Sequence, residues 1–321
     1  MTGLPDRPTI LFAHAVYALA TTASARSLPA EILEARTLEQ TEALLPQADV
    51  LVISGLWRNT LLPLMGRVKL VQSISAGVDQ YPQDELRTRG IRLASNQGGN
   101  ANAVSEHAIS LILALMRHLH TARDNQTKRN WVGMNPDPAT REQELGGKTL
   151  LVAGYGAIGS RLARLAQAFG MKVIATRRTV RKADDNGIAV VTQDRFREFL
   201  PQADVVALTC PLTDQTRGMV DAAAFAAMKP SALLVNCARG RVVDEAALIA
   251  ALRDKRIAGA GLDVFYDEPL PAESPLWGFE TALITPHTGG ETNLYESNVL
   301  DTLAENLKRL RQGEALRNQI V

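Results

Sequence analysis

The stretch Leu150-Leu151-Val152-Ala153-Gly154-Tyr155-Gly156-Ala157-Ile158-Gly159 constrains this chain more than any other. A short apolar run, as in a buried strand, ends in G-x-G-x-x-G, and helical periodicity follows. Leu162, Leu165, Ala166 and Phe169 recur at i, i+3, i+4 and i+7, with Arg161 and Arg164 between them. Gly170 stands where a helix C-cap is wanted, and Met171 to Ala175 reads as a second strand. Glycine-rich turns are common and alone say little. Strand, glycine turn, helix and strand in this order is the context of a dinucleotide site. The glycines permit the tight turn and let a pyrophosphate approach the backbone, while the helix N-terminus supplies partial positive charge.

The rest of the chain alternates strands and helices in the same way, and 321 residues suffice for two domains. Ile10 to Phe12 and Val50 to Ile53 are continuous apolar runs, as expected of parallel strands covered on both faces. Leu70 to Ile74 is a further strand and leads into Ser75-Ala76-Gly77-Val78-Asp79, which reads either as an anion cradle or as a plain tight turn. Leu45-Pro46-Gln47-Ala48-Asp49-Val50 recurs as Leu200-Pro201-Gln202-Ala203-Asp204-Val205, mild support for two related α/β halves. Asn100 to about Ala122 reads as one long, mostly apolar helix. Residues 123–147 read as an irregular polar arm with Trp131, Pro136 and Pro138. Further strands are expected at Ala189–Val191, Val205–Leu208, Ala232–Val235, Ala260–Leu262 and Leu283–Ile284. From about 291 a helix carries Leu303, Leu307 and Leu310 on one face.

Composition excludes more than it assigns. With 35 basic and 34 acidic residues, no global field draws the chain to nucleic acid or an anionic membrane. Two cysteines, Cys210 and Cys237, make no disulfide framework, and a cytoplasmic, reducing location is the default. Ile10 to Ala25 faintly resembles a signal peptide, but Pro5, Asp6, Pro8, His14 and Tyr17 favour a first strand, Thr9 to Ala13, and a loop. No stretch approaches the roughly twenty apolar residues of a membrane span. His118 and His120, two apart on a helix, point to different faces, and no Cys/His cluster has ligand spacing, so no metal is expected. His107 is expected to pack or bond within its helix, and His14 to be structural. Trp57, in Ser54-Gly55-Leu56-Trp57-Arg58, suits a substrate pocket or a core equally.

Three strand ends carry chemistry. Leu233 to Asn236 runs into Cys237-Ala238-Arg239-Gly240, with Asp244 placed to cap the next helix. Gly261 to Phe265 runs into Tyr266-Asp267-Glu268-Pro269, and Leu283 to Thr285 into Pro286-His287-Thr288-Gly289-Gly290. Ligands of open parallel sheets bind beyond the carboxyl ends of the strands, so Arg239, Glu268 and His287 are expected together there, near the dinucleotide. The set suits reduction of a 2-oxo acid. The arginine binds the carboxylate and polarises the carbonyl, the histidine donates the proton that accompanies the hydride, and the glutamate holds the imidazole and raises its pKa.

These blocks resemble the D-isomer-specific 2-hydroxyacid dehydrogenases, in the same order and across nearly the whole chain. They are Ser75–Asp79; Gly98-Gly99-Asn100 with Val104 and Glu106; the glycine turn; Asn236–Gly240; Asp263-Val264-Phe265 with Glu268-Pro269; and Thr285-Pro286-His287. The resemblance implies two Rossmann-like or flavodoxin-like α/β domains with parallel sheets, the first discontinuous. Residues 1–98 plus 291–321 would form the substrate domain and 99–290 the dinucleotide-binding domain, with an arm about 123–147 that joins two copies in a homodimer. It implies Arg239 as substrate anchor, Glu268 as the histidine's partner and His287 as proton donor. It gives the backbone of Ala76, Gly77 and Val78, with Asn100, to the substrate. Cofactor contacts carry over to Val104, Gly154, Gly156, Ala157, Ile158, Gly159, Cys210, Pro211, Cys237, Ala238, Asp263, Gly289 and Gly290.

One departure from the family pattern is informative. NAD-linked members place an acid at the end of the second strand to bind the ribose hydroxyls. Here that position is Arg177, followed by Arg178, with Arg181 and Lys182 close by. An acid repels a 2′-phosphate and guanidinium groups bind it, so NADP is expected over NAD, although such arginines can also stack on adenine or face solvent. With that cofactor, glyoxylate or hydroxypyruvate is the first substrate expected. Gly98-Gly99-Asn100 suggests 3-phosphoglycerate oxidation as an alternative. Against that alternative, no added regulatory domain, which many such enzymes carry, is expected after the return helix. A dinucleotide-sensing regulator, like the family's co-repressors, is a third reading, against which the intact Arg239, Glu268 and His287 speak.

Overall fold

The computed structural model describes residues 4–180 and 182–321, so Arg181 lies outside the described residues. The chain divides into two compact units, residues 1–100 with 292–321, and residues 101–291. The first holds five parallel strands: β1 (Thr9–Ala13), β2 (Glu31–Ala35), β3 (Val50–Ile53), β4 (Leu70–Ser73) and β5 (Arg92–Ala94), in the order β2-β1-β3-β4-β5. Its helices are α1 (Leu19–Ala25), α2 (Leu38–Leu44) and α3 (Gln83–Thr88), together with the last helix of the chain, α9 (Tyr295–Gln312). Side chains alternate across a strand, and both faces are buried. Ile10, Phe12, Val50 and Val52 pack on one side with Leu19, Val299 and Leu303 of α1 and α9. Leu11, Leu51 and Ile53 pack on the other with Trp57, Leu61 and Leu86.

The second unit holds seven parallel strands: β6 (Thr149–Ala153), β7 (Lys172–Arg177), β8 (Ala189–Thr192), β9 (Val205–Leu208), β10 (Leu233–Asn236), β11 (Gly259–Leu262) and β12 (Ala282–Ile284). Their order is β12-β11-β10-β9-β6-β7-β8. Helices α4 (Ala101–Met116) and α6 (Ala157–Ala168) cover one face through Ile112, Leu115, Leu162 and Ala166. The other face is covered by α7 (Ala222–Ala227) and α8 (Glu245–Arg253), through Phe225, Leu248 and Leu252. The remaining helix, α5, runs Leu119–Thr127. Strand order reverses between β6 and β9, the switch point at which ligands bind doubly wound sheets.

The repeated Leu-Pro-Gln-Ala-Asp-Val is a clamp used once in each unit. Asp49 Oδ2 accepts from the Thr9 N–H at 2.9 Å, and the Asp49 N–H donates to Thr9 O at 2.9 Å. Asp204 does the same with Thr149, at 2.8 and 2.9 Å. A cation closes each clamp: Arg67 at 3.1 Å on Asp49 and Lys229 at 2.7 Å on Asp204. The carboxylate therefore pins the entry of the central strand to its neighbour.

Two expectations need correction. The long helix expected over 100–122 breaks at His118, whose φ is +51°, into α4 and α5, and α5 takes the first residues of the supposed arm. The carbonyl of Met116 freed by the break accepts from Gln143 N–H at 2.8 Å, a distant partner that makes the break tolerable. The break also removes the ground for setting His118 and His120 apart, since both line one cavity of about 240 Å³ with Glu280. Phe169, counted on the buried stripe of α6, lies beyond its last turn and is 46% exposed.

Candidate active site

The glycine turn is built by close approach. Gly154 has φ +104°, and a Cβ there would fall 2.6 Å from Cys210 Cα; one at Gly159 would fall 2.1 Å from the Gly154 carbonyl oxygen. Only hydrogen fits at either. Thr176 O on β7 accepts from the N–H groups of Gly154 and Tyr155 at 3.1 and 2.7 Å, and Thr209 Oγ1 donates to Gly154 O at 2.9 Å. The turn is thus fastened to β7 and to the chain leaving β9. Gly156 caps α6 in extended conformation with no side chain over the helix end. Among the described residues no acceptor takes the N–H groups of Ala157, Ile158 or Gly159. Three open donors at the start of a twelve-residue helix fit a pyrophosphate. Along the same carboxyl edge Cys210, Cys237 and Ala238 are buried and Pro211 is exposed. Burial pushes the Cys210 thiol up to about 12, which makes it a poor nucleophile.

The acid–base groups gather at this edge as well. After β10, Asn236 shapes the turn: its Nδ2 donates to Arg239 O at 3.1 Å and its Oδ1 accepts from Ala238 N–H at 3.0 Å. Arg239 follows, half-buried, its Nη1 donating to Ala238 O at 2.6 Å. After β11, Glu268 is oriented by the Phe265 N–H, which donates to Oε1 at 2.9 Å, while Oε2 lies 2.7 Å from His287 Nδ1. That bond raises the pKa of His287 above its ordinary value, against burial and the nearby Arg239 charge, which lower it. Burial alone would push Glu268 up, but hydrogen bonds from His287 and Phe265 outweigh it and hold the carboxyl below its usual range. With Nδ1 spent on Glu268, Nε2 of His287 is the atom left to exchange a proton.

A second carboxylate was missed as a positioning group. Asp263, 3% exposed, accepts from Thr285 Oγ1 at 2.7 Å, Thr288 N–H at 3.0 Å and Gly289 N–H at 3.1 and 3.0 Å. It therefore holds both sides of the turn in which His287 adopts the left-handed φ of +54°, a conformation a non-glycine residue takes at a cost of about 1–2 kcal/mol. The resemblance gives Asp263 to the cofactor, yet its oxygens are occupied by the turn. His107, expected to bond within its own helix, reaches across to Thr285 Oγ1 at 2.9 Å. Thr285 spends its one proton on Asp263, so it accepts from His107, which places a proton on His107 Nε2. Only the i+7 offset from Asn100 into an otherwise apolar stripe hinted that His107 had a distant partner.

The remaining candidates divide by unit. In the first, no acceptor among the described residues takes the N–H groups of Ala76, Gly77 or Val78, and Asn100 Oδ1 is buried without a partner. Trp57 is 4% exposed, 4.8 Å from the Tyr81 ring, its Nε1 donating to Asn59 at 3.2 Å, and it packs in the core of this unit. His14 Nδ1 accepts from the Val16 and Tyr17 N–H groups, a structural role. In the second, Val104 is buried on α4 and Gly289 is buried beside Asp263, with Gly290 half-buried next to it. Arg177, half-buried, ends β7, and Arg178, exposed, follows it. Among the described residues no three His, Cys, Asp or Glu side chains form a metal-holding group, and no helix is long and apolar enough to cross a membrane.

An open helix N-terminus, with an arginine and a carboxylate-paired histidine along one sheet edge, defines an α/β oxidoreductase that works with a nicotinamide dinucleotide. The family profile described as D-isomer specific 2-hydroxyacid dehydrogenase, NAD binding domain, matches residues 109–289. Among curated relatives, an (S)-sulfolactate dehydrogenase of Chromohalobacter salexigens is 37% identical, over 78% of this chain and 79% of that one. A glyoxylate reductase of Pyrococcus furiosus is 35% identical, over 77% and 74%. A D-3-phosphoglycerate dehydrogenase of Synechocystis is 32% identical over 86% of this chain, which spans about half, 49%, of that relative's length. A solved D-isomer specific 2-hydroxyacid dehydrogenase family protein of Aeromonas salmonicida superposes with a TM-score of 0.86 at 32% identity, covering 99% of each chain. The chain belongs to the D-isomer-specific 2-hydroxyacid dehydrogenase family, whose members are NAD(P)-dependent oxidoreductases.

Proposed function

We propose that this chain is an NADPH-dependent reductase that converts a small 2-oxo acid, glyoxylate or hydroxypyruvate, to the D-2-hydroxy acid. The observation that carries the reading is the 2.7 Å pairing of His287 with Glu268 at the edge where α6 leaves three N–H groups open. A nicotinamide dinucleotide bound along Gly154, Gly156, Ala157, Ile158 and Gly159 supplies the hydride. Arg239 holds the substrate carboxylate and draws electron density from the carbonyl. His287 Nε2 gives its proton to the oxygen that becomes the hydroxyl, and Glu268 keeps the imidazole charged to a higher pH than its ordinary pKa allows. With Arg177 and Arg178 where NAD-linked members carry an acid, no carboxylate stands at the strand end to repel the 2′-phosphate of NADPH.

The N–H groups of Ala76, Gly77 and Val78, with Asn100, fall to the substrate carboxylate. Val104, Cys210, Pro211, Cys237, Ala238, Gly289 and Gly290 fall to the cofactor. Residues 1–98 with 291–321 act as the substrate domain, and 99–290 as the dinucleotide-binding domain. The arm about 123–147 pairs two copies, a role supported by Trp131 at 95% exposure and Met134 at 100%, apolar side chains that a partner chain would cover. Two buried, unpaired cysteines fit a reducing cytoplasm. A second reading, oxidation of 3-phosphoglycerate, is favoured by the 32% identity to the Synechocystis enzyme of that name.

The test is the initial rate of NADPH and NADH oxidation over glyoxylate, hydroxypyruvate, pyruvate, 2-oxoisocaproate and phenylpyruvate, with 3-phosphoglycerate run in reverse. Fast NADPH oxidation with one or two small acids is expected. Turnover of 3-phosphoglycerate alone moves the assignment to the second reading. Tight cofactor binding with no turnover on any acid overturns both.

A further inference from the structure

Arg177 is the last residue of β7, and Arg178 lies in the bend that follows it. Arg178 lines a cavity of about 600 Å³ with Gln193, Asp194, Arg197, Gln215 and Arg217. Arg177 is absent from that lining, and its charge is felt instead by the hydroxyl of Tyr155, which bonds Asp185 at 2.8 Å. The cavity therefore gathers three guanidinium groups against one carboxylate, and the three are not equally neutralised. Arg197 is held by Asp221 at 2.7 Å. Neither Arg178 nor Arg217 has a side-chain acceptor or ion-pair partner among the described residues. Two unpaired like charges facing one space repel, and an anion between them removes the repulsion and supplies the missing acceptors.

The location says which anion. The cavity abuts the end of β7, where Thr176 Oγ1 donates to Gln193 Oε1 at 2.8 Å, and Thr176 O is the same atom that anchors the glycine turn. In dinucleotide folds the ribose of the adenosine half lies at this strand end. We propose that Arg217, together with Arg178, forms the subsite for the 2′-phosphate of NADPH, and that Arg177 takes no part in it. Resting on the NADPH reading above, this adds a specificity-determining residue forty positions beyond the strand end that sequence patterns inspect. Arg217 arrives there because the segment after β9 folds back through a turn in which Thr213 N–H donates to Thr216 Oγ1 at 2.8 Å and Arg217 N–H to Thr213 O at 2.9 Å. That turn brings Arg217 to the cavity that Arg178 also lines, independently of what the strand itself encodes.

The test is calorimetric titration of the full chain and of its Arg177→Gln, Arg178→Gln and Arg217→Gln variants. The ligands are NADPH, NADH and the fragments adenosine 2′,5′-bisphosphate and AMP, and thermal unfolding checks each fold. Arg178 and Arg217 are exposed, so unfolding temperatures are expected to stay at the wild-type value. Losing one charge-assisted bond to phosphate is expected to weaken NADPH and the bisphosphate about ten- to a hundredfold in Arg178→Gln and Arg217→Gln, leaving NADH and AMP within about twofold. Arg177→Gln is expected to leave the NADPH-to-NADH ratio unchanged. If the wild type favours NADPH but Arg217→Gln keeps its preference, or weakens both dinucleotides equally, the assignment of Arg217 is wrong while the NADPH reading stands. If the wild type itself binds NADH more tightly, the NADPH reading fails, and this subsite with it.

Discussion

Asp263→Asn isolates the contribution of the buried carboxylate beneath His287. The aspartate receives one hydroxyl and two backbone N–H groups and stands 3.4 Å from His107 Nε2. An asparagine matches its shape but offers a single acceptor oxygen. If that oxygen keeps Thr285 and Thr288, the amide nitrogen meets the Gly289 N–H, donor against donor, in a buried place. One charge-assisted bond, about 1.5–3 kcal/mol, is lost and an unmatched buried donor costs about 1–3 kcal/mol more, less the desolvation that a neutral group avoids. A net loss of about 2–4 kcal/mol is expected. For a unit of roughly two hundred residues this lowers Tm by about 5–15 °C. The acid dependence follows from the same bonds. Burial pushes the Asp263 pKa up, but hydrogen bonds from His107, Thr285 and Gly289 outweigh it, so the folded value lies below the ordinary one. A depressed carboxylate pKa stabilises fully above the unfolded value of about 3.9, and the gain disappears as pH falls through the folded value. Scanning calorimetry from pH 8 to pH 3 should therefore show a constant gap between wild type and variant down to about pH 4, closing below it. Equal Tm at pH 7, or a gap that widens on acidification, would refute the account of Asp263 as the turn's anchor.

Two further changes address the chemistry and the cofactor turn. Glu268→Gln removes the main cause of the raised His287 pKa, so the imidazole loses its proton at a lower pH; kcat/KM for reduction is expected to fall off earlier as pH rises, and an unshifted pH–rate profile would count against the pairing. Gly159→Ala drives a Cβ to 2.1 Å from the Gly154 carbonyl and 2.8 Å from Thr209 Oγ1, whereas Gly156→Ala meets nothing within 4 Å. The first is expected to lose about 1–3 kcal/mol of stability and the second almost none, which comparison of their Tm values checks.

The strands were legible because both faces of each sheet are buried, so Val50–Ile53, Val205–Leu208 and Leu150–Ala153 read as unbroken apolar runs. The repeated hexapeptide was legible as an echo, but not as a clamp, because its partners Thr9 and Thr149 lie 40 and 55 residues upstream. The break at His118 was not legible at all. No glycine or proline marks it, and the group that makes it tolerable is Gln143 N–H, far along the chain. Local propensity finds an element where the residues themselves carry the reason for it, and misses a boundary whose reason is a tertiary partner.

The site divides along the same line. Arg239, Glu268 and His287 announce themselves by residue type and by their places after strands, and the Glu268–His287 bond joins two of them at 2.7 Å. His107 and Asp263 are equally specific in type, yet their partners Thr285, Thr288 and Gly289 are 178 and about 25 residues away, and nothing local distinguishes a buried anchor from a surface acid. The two carboxylates of this edge thus do separable work. Glu268 acts on the charge of the imidazole through Nδ1, while Asp263 acts on the backbone from which the imidazole hangs. Loss of the first should move a pH profile with little change in Tm, since Glu268 is only partly buried. Loss of the second should lower Tm and turnover and move the profile's inflection less than loss of the first, because the Glu268 bond, the main cause of the raised His287 pKa, remains and the Asp263 charge raises it less.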